Sequence, residues 1–228
     1  MADMLTLEAF EGASEKVREV TQDTKLIESP SFSAACGNRV WLKPENKVER
    51  TKAYGAEVVL KGDVYDEACD YALQLAEGRG LTFVHPFNDP VVATGQGTIA
   101  MEIVQELPLV DVILVPVGGG GLATGVSTFV KQYNPKVKVI GVEPSGAPSL
   151  TAALDAGHPV RLPSANTIAD GMAVLEVGDR VYPYLEQSLD DVILVDDAEL
   201  VVAFLDMVEN HKMIVENSGL LTVAALKH

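Results

Sequence analysis

Cysteine, positive charge and long apolar runs are all scarce in this chain, and each shortage closes off a class of function. Two cysteines, Cys36 and Cys69, are too few and too far apart for a disulfide scaffold or a thiolate metal site. They read as buried or free thiols in a reducing compartment. The four histidines, His85, His158, His211 and His228, form no local ligand pattern. Lysine and arginine number 17 against 33 acidic residues, a net charge of −16. Nucleic-acid binding and docking on anionic membranes both need clustered basic residues, so neither partner is expected. No apolar run approaches membrane-spanning length, and the first twenty residues lack the apolar core of a signal peptide. A soluble, cytoplasmic protein is the expectation.

What is present is the material for a core. Hydrophobic residues make up 47% of 228 residues, enough for one large domain or one and a half small ones. Residues 5–20 have the period of an amphipathic helix, followed by an irregular stretch over 24–37. "RVWLK" (39–43), "AEVVLKG" (56–62) and "LTFVHPF" (81–87) read as extended runs, and 64–78 and 94–107 as helices. "DVILVPV" (111–117) is a continuous apolar, β-branched run with the composition of a strand covered on both faces. A helix over about 122–133 and a strand over 136–144 follow. Further on come another strand and a helix capped by Asp196 or Asp197, then a last helix begun at Asn217 or Ser218. Strands alternating with helices of this length predict an α/β fold, an open, mostly parallel sheet flanked by helices.

Between that continuous strand and the next helix stand four glycines, Gly118, Gly119, Gly120 and Gly121, before Leu122. In a parallel α/β sheet ligands bind at the carboxyl ends of strands. Glycines there leave backbone N–H groups bare, and the helix adds its positive dipole end. A tight turn needs one or two such residues; four in a row predict a phosphate cradle. Gly118, Gly120 and Ala123 also satisfy G-x-G-x-x-A, with Glu143 ending the next strand as a ribose-binding acid would. A nicotinamide-cofactor oxidoreductase is therefore a rival reading.

Five ordered segments carry a resemblance: "VHPFNDPVVATGQGTIAMEI", "DVILVPVGGGGLATGV", "VIGVEPSGAPS", "TIADGMAV" and "KMIVENSGLLTVAAL". Together they resemble the threonine/serine dehydratases, pyridoxal-phosphate enzymes of the tryptophan-synthase-β fold type, and most of all the catabolic threonine dehydratases. The resemblance implies the large domain of that architecture. Residues 1–46 would supply its N-terminal helix and first part, and 47–228 the remainder. It implies that Gly118, Gly119, Gly120, Gly121 and Leu122 form the cup for the phosphate of pyridoxal 5′-phosphate. Gly171 and Glu216 would line the cofactor ring; taken alone they read as a turn glycine and a helix-start carboxylate. Glu143, Ala147 and Ser149 match a segment that binds a monovalent or divalent cation in some relatives. Ser149 stands where the divalent-metal-binding relatives carry an acid, and a solvent-facing strand-end glutamate is the simpler account of Glu143. The implied reaction converts L-threonine or L-serine to 2-oxobutanoate or pyruvate and ammonia, in a homodimer or homotetramer. Serine racemase is a related alternative.

One part of that pattern is missing. The family's Schiff-base lysine lies just after the "KPEN" segment, and a substrate-gripping loop follows it. Here Asn46 is followed directly by "KVERTKAYGAEVVL", which in relatives comes after both. Lys43, Lys47 and Lys52 lie near the join without the flanking residues the role requires, so no catalytic lysine is assigned. The expectation is that most of a small domain is absent between residues 46 and 47 because this sequence omits it. A true deletion, and a degenerate paralogue acting by binding or assembly, are the alternatives.

Overall fold

The structure, a computed structural model, describes residues 5–20, 27–28, 39, 41–42, 59, 61 and 65–228. The join at Asn46–Lys47, the three lysines beside it and Cys36 lie outside those residues. Of the expected strand over 56–62, Val59 and Lys61 are described and lie in no regular element. The first elements are α1 (Leu7–Val20) and two short strands, β1 (Ile27–Glu28) and β2 (Trp41–Leu42), paired antiparallel. After them come α2 (Tyr65–Arg79), α3 (Pro90–Glu106), β3 (Val112–Pro116), α4 (Gly121–Tyr133) and β4 (Lys138–Pro144). The chain continues through α5 (Ser149–Ala156), a 3-10 turn at Asp170–Met172 and α6 (Tyr182–Ser188). It ends with β5 (Asp191–Val195), α7 (Asp197–His211), α8 (Asn217–Ala224) and a closing 3-10 turn. No helix among the described residues is long and apolar enough to cross a membrane.

β3, β4 and β5 form a parallel sheet in that order, the α/β architecture the alternation predicts. Val112 pairs with Lys138, and Ile140 with Asp191. Alternation along β3 divides its side chains between two cores. Ile113 and Val115 enter one with Val139, Phe129 of α4 and Phe10 of α1. Leu114 joins Val142, Val195 and the buried faces of α7 and α8 in the other. Pro116, which has no N–H to give a neighbour, is tolerated at the end of a strand bonded on one side only among the described residues. Leu200, Met207, Leu220 and Leu221 are buried almost completely, each worth about 1.5–3 kcal/mol relative to exposure.

α3 and α4 cross at glycine. A Cβ on Gly125 would land on the Ala93 carbonyl oxygen, and one on Gly97 would sit 2.7 Å from Gly125 backbone. The small residues of "ATGQGT" and "LATG" thus let two backbones touch. α3 also begins earlier than expected. Asp89 caps it by accepting the Val91 N–H at 2.8 Å, and Pro90 takes the first position, where its missing N–H costs nothing.

Residues 81–87 form no strand, contrary to expectation. Their aromatic side chains gather with Tyr65 in a cluster: the His85 and Phe87 rings meet edge-on at 4.5 Å, Tyr65 and Phe87 at 5.2 Å. The His85 imidazole takes the Phe87 and Asn88 amides that a strand would have offered to a neighbour. Asp196 is the cap of α7, in a reciprocal capping box with Glu199 at 2.8 Å in both directions. Asp197 instead accepts from the Thr167 hydroxyl and the Ile168 amide, tying the 167–168 segment to the start of α7.

Candidate functional site

Val117 extends the β3 ladder by donating to the Val142 carbonyl at 2.8 Å, and the chain then turns through Gly118, Gly119 and Gly120 into α4. Gly120 is the N-cap with φ +95°, a left-handed conformation that needs glycine. The carbonyls of the turn are engaged. Gly118 O receives the Ser149 hydroxyl at 3.5 Å, Gly119 O the Gly178 amide at 3.0 Å, and Gly120 O the Thr124 amide at 2.9 Å. The amides are not. The N–H groups of Gly118, Gly119, Gly120, Gly121 and Leu122 find no acceptor among the described residues, although the four glycines are buried. α4 has no capping side chain and no acidic residue in its first turn. Buried donors without acceptors are costly, and here all of them stand at the positive end of a thirteen-residue helix. An anion with several oxygens answers both conditions, so the turn fits a phosphate group.

On their other sides the glycines make room for the protein itself. A Cβ on Gly119 would overlap the Phe87 ring. One on Gly120 would lie 2.8 Å from Leu185 Cδ1, and one on Gly121 2.7 Å from Gln96 Oε1 and 2.8 Å from Phe87 Cα. Gln96 Oε1 is buried without a partner among the described residues. Gly118 faces Met172 and the Gly171 carbonyl, whose sulfur and oxygen lie 3.1 and 3.3 Å from an added Cβ.

Gly171 therefore does lie against the glycine turn, exposed in the 3-10 turn Asp170–Met172. Glu216 is the exposed N-cap residue of α8, accepting the Gly219 amide at 3.0 Å through its backbone carbonyl. Its neighbour Asn217 reaches the segment before Gly171 by donating to the Ile168 carbonyl at 2.9 Å. Ser218, next along, keeps a buried hydroxyl without a partner among the described residues.

Glu143 departs from the solvent-facing glutamate expected at a strand end: its exposure is 0%. One carboxylate oxygen accepts the Leu150 amide at 2.7 Å, the other the Thr151 amide at 2.8 Å and hydroxyl at 2.7 Å. Burial pushes this carboxyl above its ordinary value, against the donors that pull it down. Its work is capping α5, so it offers no free oxygen to a ribose, and the nicotinamide reading loses its acid. Ala147 and Ser149 are beside it, the Ala147 carbonyl receiving the Ser149 amide at 3.0 Å. Among the described residues no group of three or more His, Cys, Asp or Glu side chains is placed to hold a metal ion.

Phe87, Gln96 and His85 escaped the sequence reading. The signal available was the "HPFND" and "GQGT" runs, whose polar and aromatic members fit neither helix nor strand periodicity. His85 is partly buried, and desolvation lowers its pKa.

Known proteins resemble this one in sequence and in fold. A family model for pyridoxal-phosphate-dependent enzymes matches residues 44–228. The L-threonine ammonia-lyase of Geobacter sulfurreducens is 46% identical over 183 residues, which cover 80% of this chain and 46% of that protein. This chain thus spans about half the length of the curated relative it matches. Maize serine racemase superposes with a TM-score of 0.88 at 26% identity, over 97% of this chain and 86% of its own. Threonine deaminase isoform 2 of Solanum lycopersicum does so with a TM-score of 0.73 at 43% identity, over 77% of this chain and 52% of its own. With four-fifths of its length matched, the chain belongs to the family of pyridoxal-phosphate-dependent enzymes.

Proposed function

We propose that this chain is the cofactor-binding portion of a threonine/serine ammonia-lyase, cytoplasmic and assembled as a homodimer or homotetramer. The observation that carries the reading is the asymmetry of the glycine turn: three carbonyls bonded to the protein, five consecutive amides without an acceptor among the described residues. In this reading the Gly118, Gly119, Gly120, Gly121 and Leu122 amides hold the phosphate of pyridoxal 5′-phosphate. Gly171 and Glu216 border the ring. When bound, the cofactor supplies an electron sink for loss of the α-proton and β-hydroxyl of the amino acid. The protein's own contribution here is position and field: α4 directs its dipole at the phosphate, and α6 and Phe87 brace the turn from behind. A cation would take the Glu143 carboxylate and Ala147 carbonyl only in exchange for the α5 amides they now hold.

The threonine reading draws on the relatives named threonine ammonia-lyase and threonine deaminase; the superposition on maize serine racemase favours racemisation as the second reading. Incubation of the full-length enzyme with L-threonine, and separately with L-serine, decides between them. Formation of 2-oxobutanoate and ammonia supports the lyase. D-Serine as the main product would replace it with the racemase. A protein that binds pyridoxal phosphate and turns over neither amino acid would be the non-catalytic remnant.

A further inference from the structure

The "HPFND" run reaches the glycine turn by two routes, and both start at one imidazole nitrogen. His85 Nδ1 accepts the Asn88 amide at 2.9 Å and the Phe87 amide at 3.3 Å. Phe87 is the residue whose ring fills the space beside Gly119 and whose Cα abuts Gly121. Asn88 accepts the Arg180 amide at 2.9 Å and donates to the Asp179 carboxylate at 2.7 Å. That loop returns to the turn through the Gly178 amide, which donates to Gly119 O. A ring nitrogen that accepts two N–H bonds carries no proton, so the imidazole is neutral with its hydrogen on Nε2, 3.9 Å from Cys69 Sγ.

We propose that neutral His85 is the positioning residue of the phosphate cup: by holding Phe87 and Asn88 it fixes the glycine turn, and protonating it releases the turn. A proton on Nδ1 removes the acceptor that the two amides share and sets donor against donors. The inference rests on the cofactor reading above. Among the described residues, the charged and titratable groups facing the imidazole are Asp89 beyond its own turn, Asp179 and Arg180 from the 178–180 loop, and Cys69 and Tyr65 from α2. Burial lowers the His85 pKa against the pull of the two aspartates, which keeps the ring neutral near pH 7.

The test uses pyridoxine 5′-phosphate, which lacks the aldehyde and so reports the cup without covalent attachment. Its Kd is measured by calorimetry from pH 5 to 8 for the wild type, His85→Asn and His85→Leu. Asparagine places an oxygen acceptor near the Nδ1 position and does not titrate; leucine offers none. At pH 8 the asparagine variant should bind within about threefold of wild type and the leucine variant about tenfold or more weaker. Below the native His85 pKa the wild-type Kd should rise relative to that of His85→Asn, by up to about tenfold per pH unit for one linked proton. The Phe87 and Asn88 amide resonances of the ligand-free protein should move with His85 titration in wild type and stay still in His85→Asn. Parallel pH profiles for wild type and His85→Asn would overturn the proposal while leaving the cofactor reading intact. Failure of every form to bind at any pH would overturn both. If His85→Leu does not fold, the wild-type and asparagine profiles decide alone.

Discussion

Replacing Gly120 with alanine isolates what the glycine turn requires, because a second left-handed glycine supplies the control. Gly120 has φ +95°, and its added Cβ would lie 2.8 Å from Leu185 Cδ1, 3.1 Å from Val177 and 3.4 Å from Val181. Gly157, at the end of α5, has φ +75° and nothing within 4 Å of an added Cβ. Alanine at Gly157 therefore meets only the conformational penalty, about 1–2 kcal/mol. At Gly120 it meets the same penalty plus overpacking against side chains in the interior, about 1–3 kcal/mol more. The expected totals are about 1–2 and 2–5 kcal/mol. In a chain of this size each kcal/mol moves Tm by about 2–4 °C. Urea denaturation of both variants gives the comparison without a ligand. Equal losses at the two positions would refute the packing argument: the turn would then have room to shift away from α6, and bracing from behind would fail with it.

Other perturbations test the elements that frame the turn. Glu143→Ala should destabilise by about 2–4 kcal/mol, since it leaves the Leu150 and Thr151 amides without their acceptor. The sign of its pH dependence follows from burial. With a native pKa raised above 4.5, the folded protein holds this proton more tightly than the unfolded chain. Its contribution to stability therefore falls as pH rises from about 4.5 through the native value. A wild-type-minus-variant stability difference that grows over that window would contradict the assignment. Asp196→Ala should cost about 0.5–2 kcal/mol through loss of the capping box, with Asp197→Ala also loosening the 167–168 segment; hydrogen exchange at Ile168 distinguishes the two.

The elements legible in the sequence were those specified by their own neighbours. β3, α4 and β4 announce themselves through a buried apolar run, a glycine break and a renewed helical period, and the cap of α7 narrows to Asp196 or Asp197. What was misread depends on residues brought from elsewhere in the chain. Glu143 looks like a solvated strand end until α5 folds back and presents two amides and a hydroxyl to it. Residues 81–87 have the apolar content of a strand, but their aromatic rings pack on one another and on Tyr65, and a side-chain nitrogen replaces the neighbouring strand. The four glycines were the most legible feature and still concealed half their reason. A missing side chain is required equally where a ligand approaches the backbone and where another part of the protein does. Phe87, Gln96, Leu185 and Met172 crowd the Cβ directions, while the N–H groups meet no acceptor among the described residues. Both demands select glycine, so the letter alone cannot separate them. Alanine tests the first demand. The second is the open approach to the amides, and phosphate binding reads it.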